Sequence, residues 1–204
     1  SWPGLIGFGS RVFEDGTSFL AGRVGERLTS DAVSLWDPGP ADLLPVGFDD
    51  EGCARRRVDF VSKGVAVGPV YDRASAERAG CTATGHRLSG GLFPSSGAHS
   101  GPLYMAPGRD HDLVAGVEDG LYVERFHYVN GYLDPRRARM TGLTRDGLFR
   151  IRGGRLAEAV GDLRFTEDVL DAFSRIDGVS AQTHCSPFGR RGLGTFSTPA
   201  VRIR

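Results

Sequence analysis

The sequence predicts an α+β fold in which antiparallel sheet, flat or curled into a distorted barrel, dominates and helices are few and short. Three observations carry this. Thirty glycines recur at short intervals along 204 residues, with brief apolar runs between them, the pattern of strands joined by turns. The run Leu121 to Tyr128 is rich in β-branched and aromatic residues. A helical apolar spacing is confined to a few short segments.

Taken in order, Ala32 to Trp36 reads as a short strand stopped by Asp37-Pro38-Gly39-Pro40. Arg55 to Val61 alternates, Ser62-Lys63-Gly64 turns, and Val65 to Tyr71 returns as the second half of a hairpin. Ser75 to Ala79 is a short helix ended by Gly80. Thr82 to Ser100 is rich in Gly and Ser and aperiodic, hence a long loop. Leu103 to Ala106 is a strand, and Asp110 to Val117 is one or two helical turns with Asp110 as cap. Leu121 to Tyr128 is the strongest strand. Met140 to Leu143 and Leu148 to Ile151 flank a turn at Thr144-Arg145-Asp146-Gly147, and Arg152-Gly153-Gly154 turns into Arg155 to Val160. Thr166 caps a helix from Glu167 to Arg175 whose buried face is Val169, Leu170 and Phe173. Thr195 to Ile203 closes as a strand.

Composition narrows the function. The 25 basic and 25 acidic residues cancel, so no basic field points to nucleic acid. No apolar run approaches the roughly 20 residues of a membrane span. Three dispersed cysteines without a CxxC pair fit a reducing compartment and no disulfide framework. With no secretory leader at the start, the cytoplasm is the expected location. Arg55-Arg56-Arg57 follows Asp49-Asp50-Glu51 and reads as a solvated face of mixed charge rather than a phosphate patch.

The chemistry-bearing residues form no complete set. His184-Cys185 resembles a thiolate pair, but neighbours on an extended strand point to opposite faces, so Cys185 reads as a strand-end thiol half buried under the following loop. His86 and His99 read as solvated or hydrogen-bonded loop histidines, His111 as surface, His127 as structural. Asp49-Asp50-Glu51-Gly52 lacks calcium-loop spacing and reads as a turn that orders the next strand. The glycines from Gly189 to Gly194 lack the Lys-Ser/Thr of a phosphate loop. On residues alone, no catalytic set is assigned.

Several stretches, in order, resemble the C-terminal domain of the TldD/PmbA (TldE) family. They are GTSFLAGRVGERL (16–28), FDDEG (48–52), the hairpin around Ser62-Lys63-Gly64, RASAERAGCTATGHR (73–87), TGLTRDGLFRIRGGRLAEAV (141–160) and CSPFGRRGLGTFSTPAVRI (185–203). The resemblance spans residues 1–204 as that single domain, the family's N-terminal domain lying outside the chain. It implies zinc metallopeptidases acting on peptides or unfolded segments, each a heterodimer of a TldD-type catalytic subunit and a zinc-free TldE/PmbA-type subunit.

In TldD-type members a helix bears His-Glu-x-x-x-His shortly before the Gly-Thr-Ser stretch. Carried back from Gly16-Thr17-Ser18, those three roles fall on Ser1, Trp2 and Ile6. None ligates zinc as an imidazole or takes a proton as a carboxylate. Cys185, the glycine loop and Pro199 do match the layout around the family's late zinc-binding cysteine. The resemblance therefore implies a TldE/PmbA-like, non-catalytic subunit without a cofactor, with His86, His184 and Cys185 as residues of a cleft. The expected partners are a TldD-type paralogue or a second copy, and a peptide. Two alternatives stand beside it. One is a zinc peptidase whose helix motif lies upstream, with Cys185 as a ligand. The other is a binding or assembly module with no proteolytic role. The apolar run Trp2, Leu5, Ile6 and Phe8 is expected to be an exposed contact surface for the partner.

Overall fold

The computed structural model describes residues 6–41, 46–87, 97–187 and 195–204. Among the described residues ten strands form two open sheets, accompanied by three short α-helices and a 3-10 turn at Pro135–Arg137. The larger sheet contains β1 (Leu35–Asp37), β2 (Val58–Ser62), β3 (Val65–Ala66), β4 (Leu103–Met105), β9 (Ile176–Pro187) and β10 (Thr195–Ile203), in the order β3-β2-β1-β4-β10-β9. Every pair is antiparallel except β4 with β10, which run parallel. The last strand in chain order is thus an interior strand. Neither sheet closes on itself among the described residues, so the barrel form is not adopted.

The smaller sheet is built on a long hairpin of β5 (Asp119–Asp134) and β6 (Arg139–Arg152). The far side of β6 pairs with β7 (Arg155–Ala159) and β8 (Arg164–Asp168). The predicted turn at Thr144 to Gly147 does not break β6. Asp146 takes a left-handed φ of 66° and Gly147 a φ of 156°, and the β5 register slips between Val123 and Arg125. The turn residues are spent on a bulge inside one continuous strand.

Helix α1 is Ser10–Glu14, α2 is Arg73–Ala79 and α3 is Val169–Ser174. Helix α2 has a reciprocal cap. Asp72 accepts from the Ser75 backbone N–H at 2.8 Å while the Asp72 N–H donates to Ser75 Oγ at 3.0 Å, and Gly80 ends the helix at φ 65°, where a side chain would be strained. The predicted helix from Glu167 splits: its start belongs to β8, whose pairing with β6 outcompetes local helix propensity. The predicted turns at Asp110 to Val117 are not helical. Asp110 instead pairs with Ser180, and its carboxylate accepts the Val179 N–H at 3.1 Å.

One apolar core joins both sheets. It contains Ile6, Phe8, Phe19, Leu20, Phe60, Val61 and Val70, and extends to Met140 and Ile176. Phe8 is fully enclosed, stacked on Phe60 with centroids 4.0 Å apart and edge-on to Phe19 at 5.5 Å. Ile6 is 2% exposed. The reading of this run as an exposed contact surface therefore fails for Ile6 and Phe8: the chain's own Phe19 and Phe60 take the place of a partner. Trp2 and Leu5 lie outside the described residues. The Gly-Thr-Ser stretch fixes this segment, since Ser18 Oγ donates to the Gly7 carbonyl at 2.6 Å. Gly7 has to be glycine, because a Cβ there would fall 2.1 Å from the Phe19 ring. No helix among the described residues is long and apolar enough to cross a membrane.

Candidate functional site

One end of the larger sheet gathers the polar groups. The C-terminal end of β1, the start of β2, the start of β4, the end of β9 and the start of β10 all meet there, as their registers require. Asp37 occupies the last position of β1 and is fully buried. Its Oδ1 accepts the Gly39 N–H at 2.8 Å, and its Oδ2 accepts the Gly101 N–H at 2.8 Å. Pro38 has no N–H to offer, so the chain folds back at Gly39, at φ 78°, to reach the carboxylate.

Two more side chains converge on Asp37, both without solvent exposure. Arg55 Nη2 lies 3.3 Å from Oδ1 and 3.4 Å from Oδ2. His86 Nε2 lies 3.3 Å from Oδ2. The other ring nitrogen, Nδ1, sits 2.8 Å from the Thr84 carbonyl oxygen and 3.0 Å from Thr84 Oγ1. A carbonyl only accepts, so Nδ1 carries the proton. Nε2 faces the carboxylate. Arg55 Nε, Arg55 Nη1 and His86 Nε2 have no hydrogen-bond partner among the described residues. Arg55 is thus not the solvated arginine that its neighbours in sequence suggest. Asp37 compensates it inside the protein, where an unpaired cation is costly.

This node holds the loop ends in place. Gly85 lets the chain lie against Ala54, for a Cβ would meet the Ala54 carbonyl oxygen at 2.3 Å. The His99 N–H donates to the His86 carbonyl at 3.0 Å. One residue earlier, Ala98 exchanges bonds with Ser10: the Ser10 N–H donates to the Ala98 carbonyl at 3.0 Å, and Ser10 Oγ accepts the Ala98 N–H at 2.7 Å. The node therefore connects to α1. His86 and His99 are hydrogen-bonded and buried rather than solvated.

On the opposite face of the sheet a second row crosses four strands. Cys185 is opposite Ser197, Ser197 opposite Tyr104, and Tyr104 opposite Trp36. Arg57 caps the row, its guanidinium carbon 4.5 Å from the Trp36 ring centroid. At about 4.8 Å per strand, Cys185 lies about 14 Å from Trp36. His184 and Cys185 are both exposed on the edge strand β9. His86, by contrast, is enclosed beside Asp37.

Among the described residues, Asp49, Glu51 and Cys53 are the only group of three side chains that brings metal-ligating atoms close together. Those atoms already have other roles. Asp49 Oδ1 accepts from the Glu51 and Cys53 N–H groups at 3.0 and 2.9 Å, and Oδ2 accepts from the Arg87 N–H at 2.9 Å. The acidic run is the turn that its spacing predicts. Glu51 accepts the Arg73 N–H at 2.9 Å, and Cys53 Sγ lies 3.1 Å from Arg73 Nε. That side-chain bond to Cys53 is the main cause raising the Arg73 pKa above its ordinary value.

A family model described as the PmbA/TldA metallopeptidase C-terminal domain matches residues 6–204. The chain belongs to this family. A metalloprotease of Methanothermobacter thermautotrophicus is 25% identical over 197 residues, covering 93% of this chain and 42% of its own length. A metalloprotease of Synechocystis is 24% identical over 192 residues, covering 89% and 40%. The chain thus spans about two fifths of the length of these relatives. The same fold occurs in TldE from Thermococcus kodakarensis, with a TM-score of 0.80 at 22% identity, covering 98% of this chain and 44% of that one. It also occurs in a Thermotoga maritima protein described as a modulator of a DNA gyrase, with a TM-score of 0.79 at 20% identity over 98% and 44%.

The zinc donor set of TldD-type PmbA/TldA members can be tested against these residues. Ser1 and Trp2 lie outside the described residues, and neither side chain is an imidazole or carboxylate donor. Ile6 presents an alkyl side chain enclosed in the core. Cys185 alone has a suitable donor atom. These residues do not fit a zinc ion. Asp37 and Arg55 are the site residues that sequence reasoning missed. Asp37 was concealed in a strand-stopping Asp-Pro-Gly-Pro, and Arg55 in a run of three arginines. The signal available was an acidic residue placed directly after an apolar strand run, which puts a carboxylate on the buried side of the sheet.

Proposed function

We propose that this chain is the C-terminal domain of a zinc-free, TldE/PmbA-like subunit. It acts in the cytoplasm beside a zinc-dependent TldD-type peptidase whose substrates are peptides or unfolded segments. The observation that carries the reading is Ile6. Carried back without a gap from Gly16-Thr17-Ser18, the second histidine position of the resembled helix motif falls on this residue, and its side chain is part of the apolar core at 2% exposure. A zinc ligand there would have to be an imidazole pointing into a cleft. Three free cysteines are consistent with a reducing compartment. The test is elemental analysis of the full-length protein, alone and mixed with its TldD-type paralogue. Zinc is expected only with the paralogue present, and peptidase activity only in the mixture.

One observation favours a second reading, a zinc peptidase with its helix motif upstream. Cys185 is an exposed thiol on an edge strand, open to a ligand set from elsewhere. One equivalent of zinc on the protein alone, lost in Cys185→Ser, decides for this second reading and against the first.

A further inference from the structure

The ribbon of β5 and β6 contains a joint. Its ladder slips between Val123 and Arg125 and again between His127 and Asn130. Three consecutive pairs stand between the slips: Arg125 with Arg145, Phe126 with Thr144 and His127 with Leu143. Left-handed backbone adjoins them on both strands, at Tyr128 with φ 52° and at Asp146 with φ 66°. Towards the tip of the ribbon, Ala138 and Met140 belong to the apolar core; towards its other end, Leu148 and Ile151 are buried apart from that core. The short ladder therefore links an anchored end of the ribbon to a separate one.

Side chains two apart on a strand, and those directly opposite across a ladder, share a face, so Arg125, His127 and Arg145 lie on one face of the ribbon. Like charges directly opposite are destabilising. Asp146 offsets the two guanidinium groups: its carboxylate pairs with Arg125 and lies 3.7 Å from Arg145 Nε. Arg145 also reaches across the diagonal, placing Nη1 2.9 Å from His127 Nε2. A guanidinium only donates, so Nε2 is the acceptor and the imidazole is neutral. We propose that His127 is an acid-sensitive clamp on this joint. In its neutral form it ties β5 to β6 through Arg145. A proton on Nε2 removes the acceptor and sets a third cation beside Arg125 and Arg145, which loosens the short ladder. An imidazole gains that proton between about pH 5 and 8, where carboxylates keep their charge. The groups around His127 do not compensate an imidazolium. On β5 these are Arg125 and the Tyr128 ring, 6.4 Å away between centroids. On β6 they are Arg145, Asp146 and the apolar Leu143 directly opposite, and on β8 Arg164, which pairs with Leu143. Asp146 is already shared between two guanidinium groups, and Glu124 accepts from the Tyr122 hydroxyl at 2.7 Å. The clamp is independent of the zinc-free reading.

The test is hydrogen–deuterium exchange of the full chain at about pH 7.5 and about pH 5.5, which bracket the ordinary imidazole titration, with rates corrected for the intrinsic exchange at each pH. Protection of residues 125–127 is expected to fall about threefold at the lower pH, the size of an exposed charge contact. Strand β2 is expected to keep its protection, showing that the larger sheet stays folded. His127→Gln offers Arg145 a neutral acceptor and should keep residues 125–127 protected at both pH values. His127→Lys carries a permanent charge and should leave them less protected at both. Arg145→Gln removes the charged donor and should abolish the pH dependence. Equal corrected protection of the wild type at both pH values, a pH dependence that survives in His127→Gln or Arg145→Gln, or a His127→Lys variant as protected as the wild type at the higher pH each overturns the proposal.

Discussion

Replacing Asp37 with Asn removes one charge and almost no volume, which isolates the electrostatic role of the buried node. Asp37 receives N–H donors on both oxygens, Gly39 on Oδ1 and Gly101 on Oδ2. An amide has one accepting oxygen, so Asn must turn its NH₂ toward one of those two N–H groups in either orientation. The substitution also leaves the Arg55 cation enclosed with no counter-charge. Breaking a buried pair from one side costs about 3–5 kcal/mol, a large part of the 5–15 kcal/mol or so that separates folded from unfolded chains. With a urea dependence of about 2 kcal/mol per molar, the midpoint should fall by about 1.5–2.5 M. Urea titration followed by far-UV circular dichroism reads this directly. Removing the cation as well, in Asp37→Asn with Arg55→Met, should recover part of the loss, because the uncompensated charge is gone. A loss below about 0.5 kcal/mol in the single variant, or a double variant equal to the sum of the two singles, would refute the reasoning.

Phe8→Ala removes a ring that is fully enclosed against Phe60 and Phe19. It should cost about 3–5 kcal/mol in the same titration, with the unfolding midpoint independent of protein concentration. A small loss accompanied by dissociation would mean that Phe8 belongs to an interface. Asp168 has a pKa held below the ordinary carboxylate value, chiefly by its hydrogen bond to the Arg139 guanidinium. A depressed folded pKa gives stability that is complete above the unfolded value and is lost as pH falls through the folded one. Asp168→Asn should therefore lower thermal stability at neutral pH and flatten the part of the acid loss below about pH 4. Parallel wild-type and variant curves across that range would count against it.

The sheet-rich architecture was legible because its turn chemistry is local. Lys63-Gly64 and Gly153-Gly154 take left-handed φ values at hairpins, and Gly80 ends a helix where a glycine is favoured. The errors occur where distant pairing overrides local preference. Residues 164–168 carry a helix-capping pattern but hydrogen-bond to β6, and the turn at Asp146 survives only as a bulge. The buried node was illegible for the same reason. Asp37, Arg55 and His86 come from three separated segments, and only the sheet register and the Gly85–Ala54 contact bring them together. Phe8 looked like exposed surface because the rings that cover it, Phe19 and Phe60, lie on other parts of the chain, and Ile6 is enclosed in the same core.

The position of β10 has a consequence for how the protein is made. Strand β10 lies between β4 and β9 and supplies the parallel link between them. While a ribosome still holds Thr195–Ile203 in its exit tunnel, β9 has no neighbour in the larger sheet among the described residues, and β4 has one. The hairpin of β5 and β6, by contrast, is complete once Arg152 has emerged. Synthesis from the N-terminus thus presents a finished ribbon well before the sheet that bears the buried node can close. The nascent chain passes through a stage in which the β5–β6 ribbon is formed and the polar end of the larger sheet is not.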